Sequence, residues 1–130
     1  MQPAQPPSPQ LVPDEKSKLS DLLKRIEKLR DSRVIAYWMG PQARISEAAV
    51  VPLFDQLKAI GKSKSIDLVL HTNGGDTEAP WRIVTLIREY CDKFSVLILH
   101  RAHSAGTLLA MGADEIVMTP LAVLGPMATR

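Results

Sequence analysis

The sequence predicts an α/β domain with a mainly parallel sheet, and three patterns support this fold class. Short apolar runs at 33–39, 66–70 and 94–99 alternate with segments of helical spacing. Strands separated by helices imply right-handed crossovers between parallel strands. The runs IDLVL and SVLIL are continuously apolar, as expected of strands buried on both faces. The length of 130 residues, with 45% hydrophobic and 23% charged residues, suits one small globular domain.

The chain before this domain divides into two parts. Residues 1–13 contain five prolines and no apolar periodicity, which predicts a disordered Pro-rich tail, with a proline-rich docking motif as the alternative. Residues 14–32 follow helical spacing and form a predicted amphipathic helix, which either caps the domain or packs against a neighbouring subunit. Residues 33–130 are then the α/β domain. The apolar positions of the helix are Leu19, Leu22, Leu23, Ile26 and Leu29.

Local signals place the helices of the domain. Ser46 is a predicted N-cap of a helix that continues to about Ile60 and ends at Gly61. A second helix is predicted over 76–91, with Trp81 in the core and Cys91 as a buried, inert thiol. A helix of small residues follows Ser104, and short strands are predicted at 116–118 and 122–124.

Composition argues against several classes of function. A net charge of +2 with dispersed basic residues argues against nucleic acid as a partner. The single cysteine excludes an internal disulfide and a cysteine-based metal site, and it suits a reducing cytoplasm. Three scattered histidines without a carboxylate at ligand spacing do not predict zinc, and no cofactor is indicated. No run approaches the roughly 20 apolar residues of a membrane span, so we expect a cytoplasmic protein without membrane association.

The segment HTNGGD (71–76) stands where a site is expected, because sites of parallel α/β sheets gather at the carboxyl ends of strands. The paired Gly74 and Gly75 allow a sharp turn and a close approach of the backbone. Their N–H groups can then point together at an oxygen, as in an oxyanion hole. The alternative is an ordinary strand-to-helix turn.

The segment HRAHSAGT (100–107) follows the next buried strand. Ser104 comes directly before a helix of small residues, where free N–H groups favour negative charge. A serine nucleophile needs such a place, because its transition state carries an oxyanion. The alternative is that Ser104 only caps the helix. Since consecutive strands are usually neighbours in the sheet, both segments are expected to face one cleft.

Taken together, these motifs resemble the serine dehydrogenase proteinase family. The resemblance covers roughly residues 33–126 and is carried by HTNGGD, the HSAGT turn, GADEIVM and the LGP ending, in that order and spacing. The family belongs to the Clp-protease/crotonase superfamily and is similar to the signal-peptide-peptidase type of serine protease.

The resemblance implies a fold, a reaction and a set of site residues. The fold is a Clp/crotonase-like spiral of β-β-α units, expected to be incomplete at the C-terminus. Ser104 matches the nucleophile, and the backbone N–H groups of Gly75 and Ala105 match the oxyanion hole. The implied reaction is peptide-bond hydrolysis through an acyl-enzyme on an extended peptide or protein substrate, in a homo-oligomer. Substrate contacts are assigned to Asn73, Gly74 and His103.

The general base is not visible in the sequence. Clp proteases use a histidine downstream of the serine, but Gly125 or Pro126 stands near that position, and no lysine follows Lys93. We therefore expect the base, a lysine or a histidine, to lie outside this chain, which can be inactive as it stands. His103 adjoins Ser104 and is a weaker candidate for the base. His71 and His100 are expected to be structural, and Asp76 to cap a helix.

Two other functions stay open. A crotonase-type enzyme would use the same paired N–H groups to stabilise the enolate of an acyl-coenzyme A thioester. A non-catalytic assembly or binding module would keep the fold and use the N-terminal amphipathic helix as an interface.

Overall fold

The computed structural model describes residues 13–125 and contains four α-helices and six strands in that range. Their bounds are α1 Pro13–Arg30, β1 Arg33–Trp38, α2 Val50–Ile60, β2 Ser63–His71, α3 Ala79–Arg88, β3 Cys91–Ile98, β4 Arg101–Ala102, α4 Ala105–Met111, β5 Glu115–Met118 and β6 Val123–Leu124. Helices separate the main strands, β3 is followed directly by β4 and β5 by β6, and a single 3-10 turn at 47–49 precedes the second helix.

The main sheet has four parallel strands in the order β1-β2-β3-β5, which confirms the predicted fold class. Leu68 lies opposite Ile35 on one side and Val96 on the other. The central strands β2 and β3 end in continuously buried runs, with mostly apolar side chains on both faces, whereas β1 and β5 are largely exposed or half-buried. Fully buried residues of α2, α3 and α4 belong to one hydrophobic core with the strands, namely Leu57, Ile83, Ile87 and Leu109.

A small second sheet gives the chain its spiral form. Strands β4 and β6 pair in parallel, and isolated parallel bridges join Ile45 to Gly75 and Thr72 to Ala102. After each of the four main strands the chain therefore makes a short extended segment, and each segment pairs with the one that follows the adjacent main strand. The result is the expected succession of β-β-α units, stacked so that the carboxyl ends of all main strands meet the small sheet.

Helix α1 is held to the sheet by an ion-pair network around Asp67. Arg30 donates to both carboxylate oxygens of Asp67 at 2.6 and 3.3 Å, and to Glu115 at 2.7 Å. Ser32 donates to Asp67 at 2.7 Å. The hydrogen bonds with Asp67 and Glu115 raise the pKa of Arg30, and the bond from Arg30 lowers the pKa of Glu115. A carboxylate buried as deeply as that of Asp67 is therefore fully paired.

Three local predictions need correction. Cys91 begins β3 rather than ending a helix, since α3 stops at Arg88. Trp81 is 76% exposed and lies outside the core, because its side of α3 faces away from the sheet. Asp76 accepts a hydrogen bond from the N–H of Glu78, but α3 begins only at Ala79. Ser46 does cap its segment, through a bond from the N–H of Ala48.

Within residues 13–125, none of the four helices combines the length and the apolar composition that a bilayer crossing requires.

Candidate active site

Ser104 has a strained backbone at the start of α4. Its φ of 53° and ψ of −116° lie in the region that non-glycine residues rarely adopt, at a cost on the order of 1–3 kcal/mol. Its hydroxyl makes no capping hydrogen bond, so the alternative that Ser104 only caps the helix is not what the structure shows. The side chain is partly exposed. The fold thus holds a serine in a costly conformation, and among residues 13–125 its hydroxyl has no hydrogen-bond partner.

Gly74 lies directly against this serine. Its φ is +112°, and a Cβ added there would stand 2.7 Å from Cβ of Ser104 and 3.0 Å from the carbonyl oxygen of His103. Its N–H donates to the hydroxyl of Thr72 at 2.9 Å. Both the backbone angle and the space therefore require glycine here. The structure brings HTNGGD and the serine turn together, as the sequence predicted.

The N–H of Gly75 points away from its strand partner. The carbonyl of Gly74 and the N–H of Asp76 both bond to Ile45, at 2.9 and 2.8 Å. Because successive residues of an extended segment alternate the side to which they present N–H and C=O, Gly75 presents its own groups to the opposite side. Earlier in the same loop, Thr72 pairs with Ala102, just before Ser104.

Two N–H groups are consequently free beside the serine. Within residues 13–125, neither the N–H of Gly75 nor that of Ala105 donates a hydrogen bond. Ala105 is the first residue of α4, where a helix leaves its N–H groups without an internal partner. A pair of such donors can stabilise a carbonyl oxygen that gains negative charge.

Thr72 is a residue of the site that sequence analysis missed. It is fully buried, and its hydroxyl accepts from Gly74 while its backbone carbonyl accepts from His103 at 3.1 Å. A Cβ on Gly106 would collide with its methyl group. Thr72 therefore joins the glycine loop to the serine turn. The signal in the sequence was a hydroxyl residue between a buried strand and paired glycines.

Asn73 does not reach the serine through a hydrogen bond. Its side-chain amide donates to the carbonyl of Pro41 at 3.3 Å and is exposed. This bond ties the glycine loop to the loop after β1. The assignment of Asn73 to substrate contact stays a prediction.

The rings of Trp38, His71 and His100 stack in a row. The ring of His71 stacks on Trp38 at 4.2 Å and on His100 at 5.4 Å between centroids. His71 is buried, yet its Nδ1 has no hydrogen-bond partner among residues 13–125. Burial lowers the pKa of His71, and the positive charges of Arg101, His100 and His103 lower it further. His100 is exposed, contrary to the expectation of a structural histidine.

The side chain of Ser104 has no hydrogen bond to a histidine or lysine in the part of the chain that the structure describes. His103 is partly buried and fixed through its backbone, whose carbonyl accepts from the N–H of Gly106 at 2.9 Å. No group of three His, Cys, Asp or Glu side chains within residues 13–125 is placed to hold a metal ion.

The site is an open surface. A groove with a volume of about 1100 Å³ lies beside Lys62, Trp81 and Arg88 and is lined by no residue of HTNGGD or of the HSAG turn.

Comparison with known proteins connects this geometry to a family. The family model of the ClpP-like SDH-type serine proteinases matches residues 8–130. Two uncharacterized proteins of Methanocaldococcus jannaschii are similar in sequence. One is 41% identical over 70 residues, which are 54% of this chain and 24% of that protein. The other is 35% identical over 114 residues, which are 80% of this chain and 39% of that protein.

A solved structure agrees in fold. A ClpP1 mutant from Listeria monocytogenes superposes with a TM-score of 0.52 at 22% identity, covering 69% of this chain and 52% of that chain. The chain thus spans between about a quarter and about half of the length of the proteins that it matches.

Proposed function

This chain belongs to the ClpP-like SDH-type serine proteinase family, and from that premise we propose that it carries the nucleophile and the oxyanion hole of a serine peptidase. The observation that carries the proposal is the strained turn at Ser104, whose hydroxyl is free and which lies against Gly74. A protein keeps such strain where the conformation serves function.

In the proposed reaction the Oγ of Ser104 attacks the carbonyl carbon of a peptide bond and passes its proton to a base. The carbonyl oxygen becomes an oxyanion, which accepts hydrogen bonds from the N–H groups of Gly75 and Ala105. The intermediate then releases the amine, which takes up the proton, and leaves an acyl-enzyme. Water adds to the ester, Ser104 regains its proton, and the acid product leaves.

The proposal takes the base to be a histidine or a lysine from outside the described residues, in the same protein or in a partner subunit of a homo-oligomer. Ser104 is partly exposed, so such a group has room to approach its hydroxyl. This arrangement also accounts for a site that faces the surface.

The proposed substrate is an extended peptide bound beside the small sheet. Gly75 presents unpaired N–H and C=O groups on the side of Ser104, and such groups pair readily with an added strand. Asn73, Gly74 and His103 are the proposed substrate contacts, since all three lie in the two loops that meet at the serine.

Labelling by a fluorophosphonate probe tests the proposal. Because the base is taken to lie outside the described residues, the probe is applied to the whole protein together with its partner subunits; we expect this chain to gain one covalent adduct by intact mass, and its Ser104→Ala variant to gain none. Ser46→Ala is a matched control, because Ser46 is also a serine at the start of a helical segment but has a capping hydrogen bond. Undiminished labelling of Ser104→Ala would contradict the assignment.

A crotonase-type reaction is the second candidate, because the two free N–H groups would equally stabilise the enolate of a thioester. That reaction leaves the strained Ser104 without a role, which favours the peptidase. Absence of labelling together with binding of an acyl-coenzyme A would reverse this preference.

A further inference from the structure

A cluster of polar side chains adjoins the serine turn, and of its members only His103 is among the proposed substrate contacts. Arg101 is the first residue of β4, which His100 precedes and His103 follows. The ring of His71, at the end of β2, stacks on that of His100. The cluster stands where β2 and β3 end, and its members His100, Arg101 and His103 lie within four residues of Ser104 along the chain.

The guanidinium of Arg101 is incompletely paired. Its Nε is buried and has no hydrogen-bond partner among residues 13–125. No salt bridge of the described residues includes Arg101, His100 or His103. The ion pairs found there join Arg30 to Asp67 and Glu115, Arg33 to Glu27, Lys58 to Asp55, Arg82 to Glu47, Arg88 to Asp114 and Lys93 to Glu115.

A buried N–H of a charged group is costly when nothing accepts its hydrogen bond. The planar guanidinium presents parallel donors that fit a carboxylate through two hydrogen bonds. His100, which is exposed, and His103, which is partly exposed, add donors at the rim. Because Arg101 is only partly buried, a ligand at the surface can reach its side chain, and an anion with two oxygens fits these donors.

The position of the cluster indicates where that anion comes from. The backbone of His103 is bonded to Thr72, and its carbonyl lies against Gly74, so the cluster and the nucleophile share one rigid turn. A group bound at Arg101 would be part of the same molecule whose carbonyl reaches Ser104.

We propose that Arg101, with His100 and His103, forms a carboxylate subsite that selects peptides with an acidic group near the bond to be cleaved. The proposal rests on the peptidase function. The carboxylate has two sources in a peptide, the side chain of Glu or Asp and the C-terminal α-carboxylate, and both offer the same two oxygens.

Binding to the full chain carrying Ser104→Ala tests the subsite without cleavage. Fluorescence anisotropy would compare four labelled peptides of one sequence, with Glu or Gln at a central position and with a free or an amidated C-terminus. We expect a carboxylate to strengthen binding by about tenfold or more, the range of a hydrogen bond to a charged group. The Glu pair and the terminal pair show which carboxylate is bound.

Addition of Arg101→Gln should remove the preference, whereas Arg25→Gln, an exposed arginine on α1, should keep it. His100→Gln provides a second test, with an expected loss of about twofold or more. Its ring is exposed, so this variant is expected to fold, and its thermal unfolding confirms that.

Equal binding of all four peptides would overturn the proposal. A second result would also overturn it. If the Ser104→Ala protein shows no peptide preference, and Arg101→Gln lowers its unfolding midpoint or its oligomer size, then the carboxylate bound by Arg101 belongs to the protein itself. Failure of the peptidase function is separate, since it appears as absent probe labelling while the binding preference persists.

Discussion

The two ends of one face of the sheet are built differently. Asp67 and His71 are both buried side chains of β2, and side chains alternate along a strand, so both point to the same face. The carboxylate of Asp67 accepts hydrogen bonds from Arg30 and Ser32, and Arg30 also donates to the carboxylate of Glu115. At His71 the situation is the opposite: its buried Nδ1 and the buried Nε of Arg101 have no hydrogen-bond partner among residues 13–125.

This difference separates a structural region from the proposed functional one. A completed ion network rigidifies the fold and joins α1 to the sheet. Unpaired buried polar atoms cost stability, and the second region adds the strain at Ser104 to that cost. On the proposed function, the carboxyl end of the sheet gives up stability where a bound substrate would restore it, and the other end does not.

Gly74→Ala should have the largest effect on the functional end. The new Cβ would collide with Ser104 and displace it, and a misplacement of about 1 Å can cost about 10²-fold in rate. We expect fluorophosphonate labelling of the full chain to slow by about that factor.

Gly61→Ala is the matched control for this variant. Gly61 also has a positive φ, of +77°, but nothing lies within 4 Å of an added Cβ. Both variants carry a backbone cost on the order of 1–2 kcal/mol, and only Gly74→Ala should slow labelling. Equal labelling rates in the two variants would mean that Gly74 does not position the serine.

Asp67→Asn should have the largest effect on stability at the structural end. It leaves Arg30 beside a neutral group and weakens several charged hydrogen bonds, at a cost of about 1.5–3 kcal/mol. Denaturant unfolding of the full chain measures it. Asp55→Asn removes an exposed pair with Lys58 and should cost at most about 0.5 kcal/mol. Similar losses in both variants would contradict the comparison.

The two ends should respond to acid in different ranges. The pKa of His71 is lower in the folded state than its ordinary 6.5, so below pH 6.5 the unfolded chain binds more protons and stability falls. The pKa of Glu115 is lowered from 4.5, so its stabilising contribution is present above pH 4.5 and is lost as the pH falls below it.

Unfolding free energies measured from pH 8 to pH 3 would separate these contributions. His71→Gln should flatten the profile just below pH 6.5, and Glu115→Gln only below about 4.5. A His71→Gln profile that parallels the parent throughout would show that the ring is not held neutral by its surroundings.

Lys93→Gln should have the smallest effect. The Lys93 side chain is 51% exposed and its Nζ lies 3.5 Å from Glu115, so the pair is solvated and contributes at most about 0.5 kcal/mol. If denaturant unfolding shows a loss of more than about 1 kcal/mol in the free energy of unfolding, the exposed pair of Lys93 and Glu115 contributes as much as the pairs of Arg30 with Asp67 and Glu115.

Much of the fold was predictable because its signals are local. The runs IDLVL and SVLIL became the buried strands β2 and β3, and HTNGGD and HSAGT came together as neighbouring strand ends must. Errors arose where a pattern was ambiguous. Cys91 continues the helical spacing of α3, yet Arg88 is its last residue, because the chain must turn to begin β3. Trp81 fits an apolar face that the sheet leaves uncovered.

The sequence alone determined the class of fold, the order of its elements and the two loops that carry the candidate site, because hydrophobic periodicity and paired glycines act over a few residues. Only the tertiary structure decided which backbone N–H groups remain free, that Thr72 joins the two loops, and that Asp67 is paired while Arg101 is not. Those properties depend on atoms that are distant in sequence, such as Ile45 and Gly75. Whether a buried polar group finds a partner is settled by the packing of the whole sheet.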